Sequence, residues 1–80
     1  MAEYQLDATQ LLCPMPVIKA QNMVRKLEND DLLTILATDP GAAHDLPSWI
    51  RINGHQLINC KLEDHQLTIT LKVQKEKNER

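Results

Sequence analysis

Apolar and polar positions change period several times along the 80 residues, and each change marks an element. Glu3-Tyr4-Gln5-Leu6-Asp7 alternates with period two, which predicts a short strand. From Val17 the apolar residues recur at Ala20, Val24 and Leu27, with Met23 beside them, the spacing of one helical face. Lys19, Asn22 and Lys26 fall on the opposite, wet face. The predicted helix runs from Pro16 to Glu28 and stops at the turn-forming Glu28-Asn29-Asp30.

Leu32 to Ala37 is apolar at nearly every position and too short for a buried helix, so it reads as a central strand. Strand, helix and strand at this spacing predict a parallel βαβ unit. Thr38-Asp39-Pro40-Gly41 ends the strand. Asp45 followed by Pro47 reads as a cap and a first-turn proline, placing a second helix from Asp45 to Asn53 with Leu46, Trp49 and Ile50 facing inward. Gln56 to Leu62 and Leu67 to Val73 alternate as two strands, joined through Glu63-Asp64-His65-Gln66 as a hairpin. Gln74 to Arg80 is a charged tail, expected to be a frayed end.

Composition narrows what such a chain can do. A chain of this length removes only about 63 per cent of its unfolded surface from water, enough for a single domain with one small core over residues 1–80. It contains no long apolar run or secretory leader, which predicts a cytoplasmic protein. Nine basic and eleven acidic residues give a net charge of −2, and the aromatics are Tyr4 and Trp49. Direct nucleic-acid binding calls for a basic excess or stacking aromatics, so any role in a nucleic-acid pathway would run through a protein partner. Cys13 and Cys60 form no CxxC pair, and His44, His55 and His65 share no ligand spacing, so neither a metal nor a cofactor is expected.

The residue with the most chemistry is Cys13, in Leu11-Leu12-Cys13-Pro14-Met15-Pro16. A residue before proline is pushed toward extended geometry, and prolines are tolerated in a first helical turn, so the thiol sits where strand-like chain gives way to helix. A helix start favours thiolate over thiol, which predicts a moderately activated cysteine. Unpaired cysteines are also among the most buried residue types, so a small core residue beside a proline turn fits the local pattern equally well. Cys60 alternates with Ile58 and Leu62 and is expected in the core.

The run from Asp7 to Pro16, with its Cys-Pro-x-Pro, resembles the signature of the TusA family of sulfur carriers, also called SirA-like. Thr38-Asp39-Pro40, Asp45-Leu46-Pro47-Ser48-Trp49 and Gly54-His55 resemble its second conserved stretch, in register. The resemblance implies an α/β (α+β) two-layer sandwich in the order β-α-β-α-β-β. Two helices would pack on one face of a four-stranded mixed sheet, as in the C-terminal domain of bacterial translation initiation factor three. It implies that Cys13 accepts a sulfane sulfur as a persulfide from a cysteine desulfurase and relays it to a downstream sulfur-transfer protein. This is a sulfurtransferase-type relay rather than a stand-alone enzyme. The best-known branch feeds 2-thiouridine formation in tRNA; others serve molybdenum cofactor formation or sulfur oxidation.

Pro14, Pro16, Asp39, Pro40, Asp45 and Pro47 would support the motif, Asp39 and Asp45 as backbone caps. Lys19, Arg25, Lys26 and His55 are candidates for partner binding. Gln10 stands where the family usually has glycine, at a position whose backbone angle other residues adopt at a cost of about 1 kcal/mol or more. The competing class is a non-catalytic interaction or regulatory domain in which Cys13 only packs.

Overall fold

The computed structural model describes residues 2–75 and has six elements: β1 (Glu3–Ala8), α1 (Met15–Lys26), β2 (Leu32–Ala37), α2 (Ala42–Ile52), β3 (Gln56–Glu63) and β4 (Gln66–Lys72). The sheet order is β1-β2-β4-β3. β1 and β2 are parallel, with Leu6 opposite Ile35, as a helical crossover requires. β4 returns antiparallel to β2, and β3 pairs antiparallel with β4. The sheet is therefore mixed, as expected.

Alternation decides which face is dry. Leu33, Ile35 and Ala37 of β2 and Leu67, Ile69 and Leu71 of β4 are buried, while Thr34 and Thr70 between them meet on the other face through their hydroxyls at 2.9 Å. α1 packs on β1 and β2 and contributes Ala20 and Val24; α2 packs on β3 and β4 and contributes Leu46 and Ile50. Val17, Met23 and Trp49 pack partly buried against this core. Buried aliphatic side chains of this size are each worth about 1.5–3 kcal/mol, so the shared core between the helices and the sheet is the main favourable term in the fold.

Cys60 departs from expectation. It pairs with Ile69, on the helix-facing side, yet it is exposed like every residue of β3. β3 is an edge strand, and although α2 packs near it, no residue along it is covered enough to be buried. Alternation thus reports the side a residue faces but not whether anything lies over it. A register shift between Leu57 and Asn59 further interrupts β3.

α2 also begins earlier than the Asp45 expected, at Ala42, with Gly41 as its N-cap. Asp45 lies in the first turn, its N–H bonded to the Gly41 carbonyl at 2.9 Å, and Pro47 lies inside the helix. An interior proline forfeits one helical hydrogen bond, a loss of about 3 kcal/mol that burial of Leu46 and Ile50 offsets. α1 ends at Lys26 rather than Glu28 because the Leu27 N–H turns to the Val24 carbonyl at 3.0 Å. Asp64 and His65 both have positive φ, the geometry of a two-residue hairpin turn.

The tail is anchored at its start. The Gln74 N–H donates to His55 Nδ1 at 3.0 Å, the Lys75 N–H donates to Asn29 Oδ1 at 2.8 Å, and the Lys75 ammonium donates to the Leu27 carbonyl. The rest of the expected frayed tail, 76–80, lies outside the described residues.

Candidate sulfur-bearing site

β1 and β2 end at the same end of the sheet, and the first motif and the Thr38-Asp39-Pro40 start of the second follow directly from those ends. The chain after β1 turns through Gln10, whose φ is 65°, and the Gln10 N–H donates to Thr38 Oγ1 at 2.7 Å. This bond ties the first motif to the second. Gln10 thus adopts the left-handed angle that glycine takes freely and an L-residue takes only under strain.

Cys13 is exposed, not the small buried core residue that the local pattern equally allowed. The Cys13–Pro14 peptide is cis, Pro14 is the N-cap of α1, and Pro16 is buried in its first turn. Cys13 Sγ donates to Asp45 Oδ2 at 2.9 Å. Gly41 sits beneath the pair: a Cβ there would lie 3.8 Å from Cys13 Cβ and 3.9 Å from Asp45 Oδ2, and a tight 3.0 Å from Asp39 Oδ2. Asp39 does act as a local cap, its Oδ2 accepting the Gly41 N–H at 3.1 Å. Asp45 does not cap. It faces the sulfur.

The activated-thiolate expectation is overturned by this arrangement. The hydrogen bond to Asp45 holds the Cys13 thiol above its ordinary value, and desolvation and the negative charges of Asp45 and Asp39 act in the same direction. α1 contributes little to counter them. Pro14 and Pro16 have no N–H, and the Met15 N–H is taken by the Leu12 carbonyl at 2.8 Å. The helix start is present, but its donors do not reach the sulfur.

Close to Cys13 in the chain stand exposed apolar side chains that the helical stripe does not account for: Leu12 at 71% exposure, Met15 and Ile18. These break the period of α1's buried face, and that mismatch was the available signal. Lys19 and Lys26 flank a shallow groove of about 300 Å³ over Leu6 and Met23, and exposed Arg25 donates to Asn22 Oδ1 at 3.3 Å. His55 follows α2 at the opposite end of the sheet from Cys13. Its Nδ1 accepts the Gln74 N–H, its ring lies 5.6 Å from that of Trp49, and partial burial lowers its pKa, so it is built into the fold as a neutral imidazole.

Pro40 and Pro47 flank Gly41 and Asp45 on the second motif. Beside Pro40 a hollow of about 150 Å³ reaches the hairpin at Leu62 and His65, too small for an ordinary small-molecule pocket. Larger depressions of about 440 and 470 Å³ lie on the open face of the sheet, away from Cys13. The thiol is thus presented on a surface, where another protein can reach it.

The family model for the sulfurtransferase TusA matches residues 4–75. The chain belongs to the TusA family. It is 36% identical over 66 residues to an inferred sulfur carrier protein of Neisseria meningitidis serogroup A, covering 82% of this chain and 89% of that one. It is 42% identical over 53 residues to the inferred sulfur carrier YrkI of Bacillus subtilis, covering 66% and 71%. The crystal structure of a SirA-like protein from Desulfitobacterium hafniense superposes with a TM-score of 0.78 at 23% identity, covering 90% of this chain and 99% of that one. That likeness shows the two-layer fold. Among the described residues, no helix of this TusA-family chain is long and apolar enough to cross a membrane.

Proposed function

We propose that the protein carries sulfane sulfur as a persulfide on Cys13, loaded by a cysteine desulfurase and passed to a downstream sulfur-transfer protein. The observation that carries this reading is the exposed thiol at the junction of the two family motifs, with the exposed apolar residues Leu12, Met15 and Ile18 near it in the chain. A relay thiol must be reached twice, once by the donor and once by the acceptor, so it belongs on a surface rather than in a cleft. The acidic balance and scarce aromatics favour delivery through proteins. The pathway we assign is 2-thiouridine formation in tRNA, with the relay acting in the cytoplasm and upstream of the enzyme that touches the tRNA.

The test is incubation with a cysteine desulfurase and cysteine carrying labelled sulfur. The wild type should gain one sulfur atom, removable by a thiol reductant, and Cys13→Ser should stay folded and gain none, because a neutral hydroxyl does not replace the sulfur nucleophile. Label on Cys13→Ser, or none on wild type from any desulfurase tried, would return the chain to the interaction-domain class.

A further inference from the structure

We infer that Asp45 is a catalytic residue of the relay, taking the proton from Cys13 Sγ as sulfur is loaded and returning it as sulfur leaves; this rests on the carrier function proposed above. Asp45 Oδ2 is 2.9 Å from Sγ, within reach for direct proton transfer. The carboxylate is fixed by the first turn of α2, through the Asp45 N–H to the Gly41 carbonyl, and not by a capping bond that would occupy its oxygens. Gly41 lies alongside the pair, the position of a Cβ there being 3.8 Å from Cys13 Cβ and 3.9 Å from Asp45 Oδ2, so the turn that starts α2 is packed directly against the thiol and its carboxylate. The charged groups acting on the sulfur are Asp45 and Asp39, both negative, and Asp39 Oδ2 is engaged with the Gly41 N–H.

This geometry sets a problem that Asp45 also resolves. The two carboxylates keep the free thiol protonated, and the thiol is the poorer nucleophile. During loading the Cys13 proton passes to Asp45, and Sγ attacks the outer sulfur of the donor's cysteine persulfide. The donor S–S bond breaks, its electron pair leaves on the donor cysteine as thiolate, and a new S–S bond joins Sγ to the transferred sulfur. The products are a Cys13 persulfide bearing the proton of the donor persulfide, a protonated Asp45 and a donor thiolate. In unloading, an acceptor thiolate takes the outer sulfur while Asp45 returns a proton to Sγ, which leaves as thiol rather than as a thiolate beside two carboxylates. The persulfide oxidation level moves from cysteine to cysteine, and no external oxidant or reductant enters.

The role separates from a purely electrostatic one by opposite signs in two assays. In Asp45→Asn the pH midpoint of Cys13 alkylation should move down, because a negative charge is gone. Single-turnover sulfur uptake at saturating desulfurase persulfide should nevertheless fall, by roughly 10²-fold, the low end of general acid–base participation. Asp45→Glu keeps a carboxylate and should recover part of that rate, with circular dichroism confirming that both variants fold. Uptake by Asp45→Asn equal to or faster than wild type would overturn the inference, as would a loss confined to the half-saturating donor concentration or no recovery in Asp45→Glu. Failure of the carrier reading would appear differently, as no uptake by the wild type.

Discussion

Replacing Gln10 with glycine should stabilise the protein while leaving its sulfur-bearing loop in place. Gln10 holds φ at 65°, and an L-residue in the left-handed region costs about 1–2 kcal/mol. Glycine removes that cost but brings more freedom to the unfolded chain, a penalty of about 0.5–1 kcal/mol. The exposed Gln10 side chain contributes no contact that offsets the difference, and the backbone N–H to Thr38 Oγ1 at 2.7 Å survives the change. The net gain is about 0.5–1 kcal/mol, equivalent to a rise in Tm of about 2–8 °C for a domain of this size. Urea denaturation of wild type, Gln10→Gly and Gln10→Ala would measure it. Alanine needs the same left-handed angle and should gain nothing. A Gln10→Gly protein no more stable than wild type, or an alanine variant that matches it, would refute the account of the loop.

Acid should remove a contribution that Asp31 makes at neutral pH. Asp31 is 6% exposed and accepts the Glu28 N–H at 2.8 Å and the Ala2 N–H at 3.1 Å, which hold its carboxyl below the usual range, the Glu28 bond first. A depressed folded-state pKa gives stability that is complete above the unfolded value of about 3.9 and is lost as pH falls through the folded value. The gap in urea midpoint between wild type and Asp31→Asn should therefore be widest near neutral pH and narrow in acid; a gap independent of pH would contradict this. Replacing Lys19 and Lys26 together with Glu should slow sulfur transfer and weaken its salt dependence without moving Tm, because exposed charges steer encounter and are screened over about 8 Å. Unchanged transfer would leave this face as plain solvated surface.

The period of the apolar residues carried most of the fold, because each strand or helix face that packs on the shared core repeats at its own spacing. Leu32 to Ala37 and the Val17 to Leu27 stripe are legible for that reason. Cys60 was misplaced because alternation is local, whereas coverage depends on how far two helices extend across four strands. The start of α2 was misplaced because Asp45 and Pro47 imitate a cap and a first turn. Ala42-Ala43, strong helix formers immediately after Gly41, were the counter-signal. Cys13 was found from its motif, but its environment was inverted. The prolines that open the helix beside it have no N–H to offer the sulfur, and the carboxylate bonded to it is Asp45, 32 positions away. No local pattern reports that contact.

Since Cys13 and Cys60 are both exposed, accessibility alone does not choose between them. The most direct test of the account is therefore peptide-resolved mass spectrometry of the wild-type protein after loading by a cysteine desulfurase. The account predicts a persulfide on the Cys13 peptide, absent after thiol reduction, with Cys60 unmodified under the same conditions. Persulfide on Cys60, or divided equally between the two thiols, would contradict it.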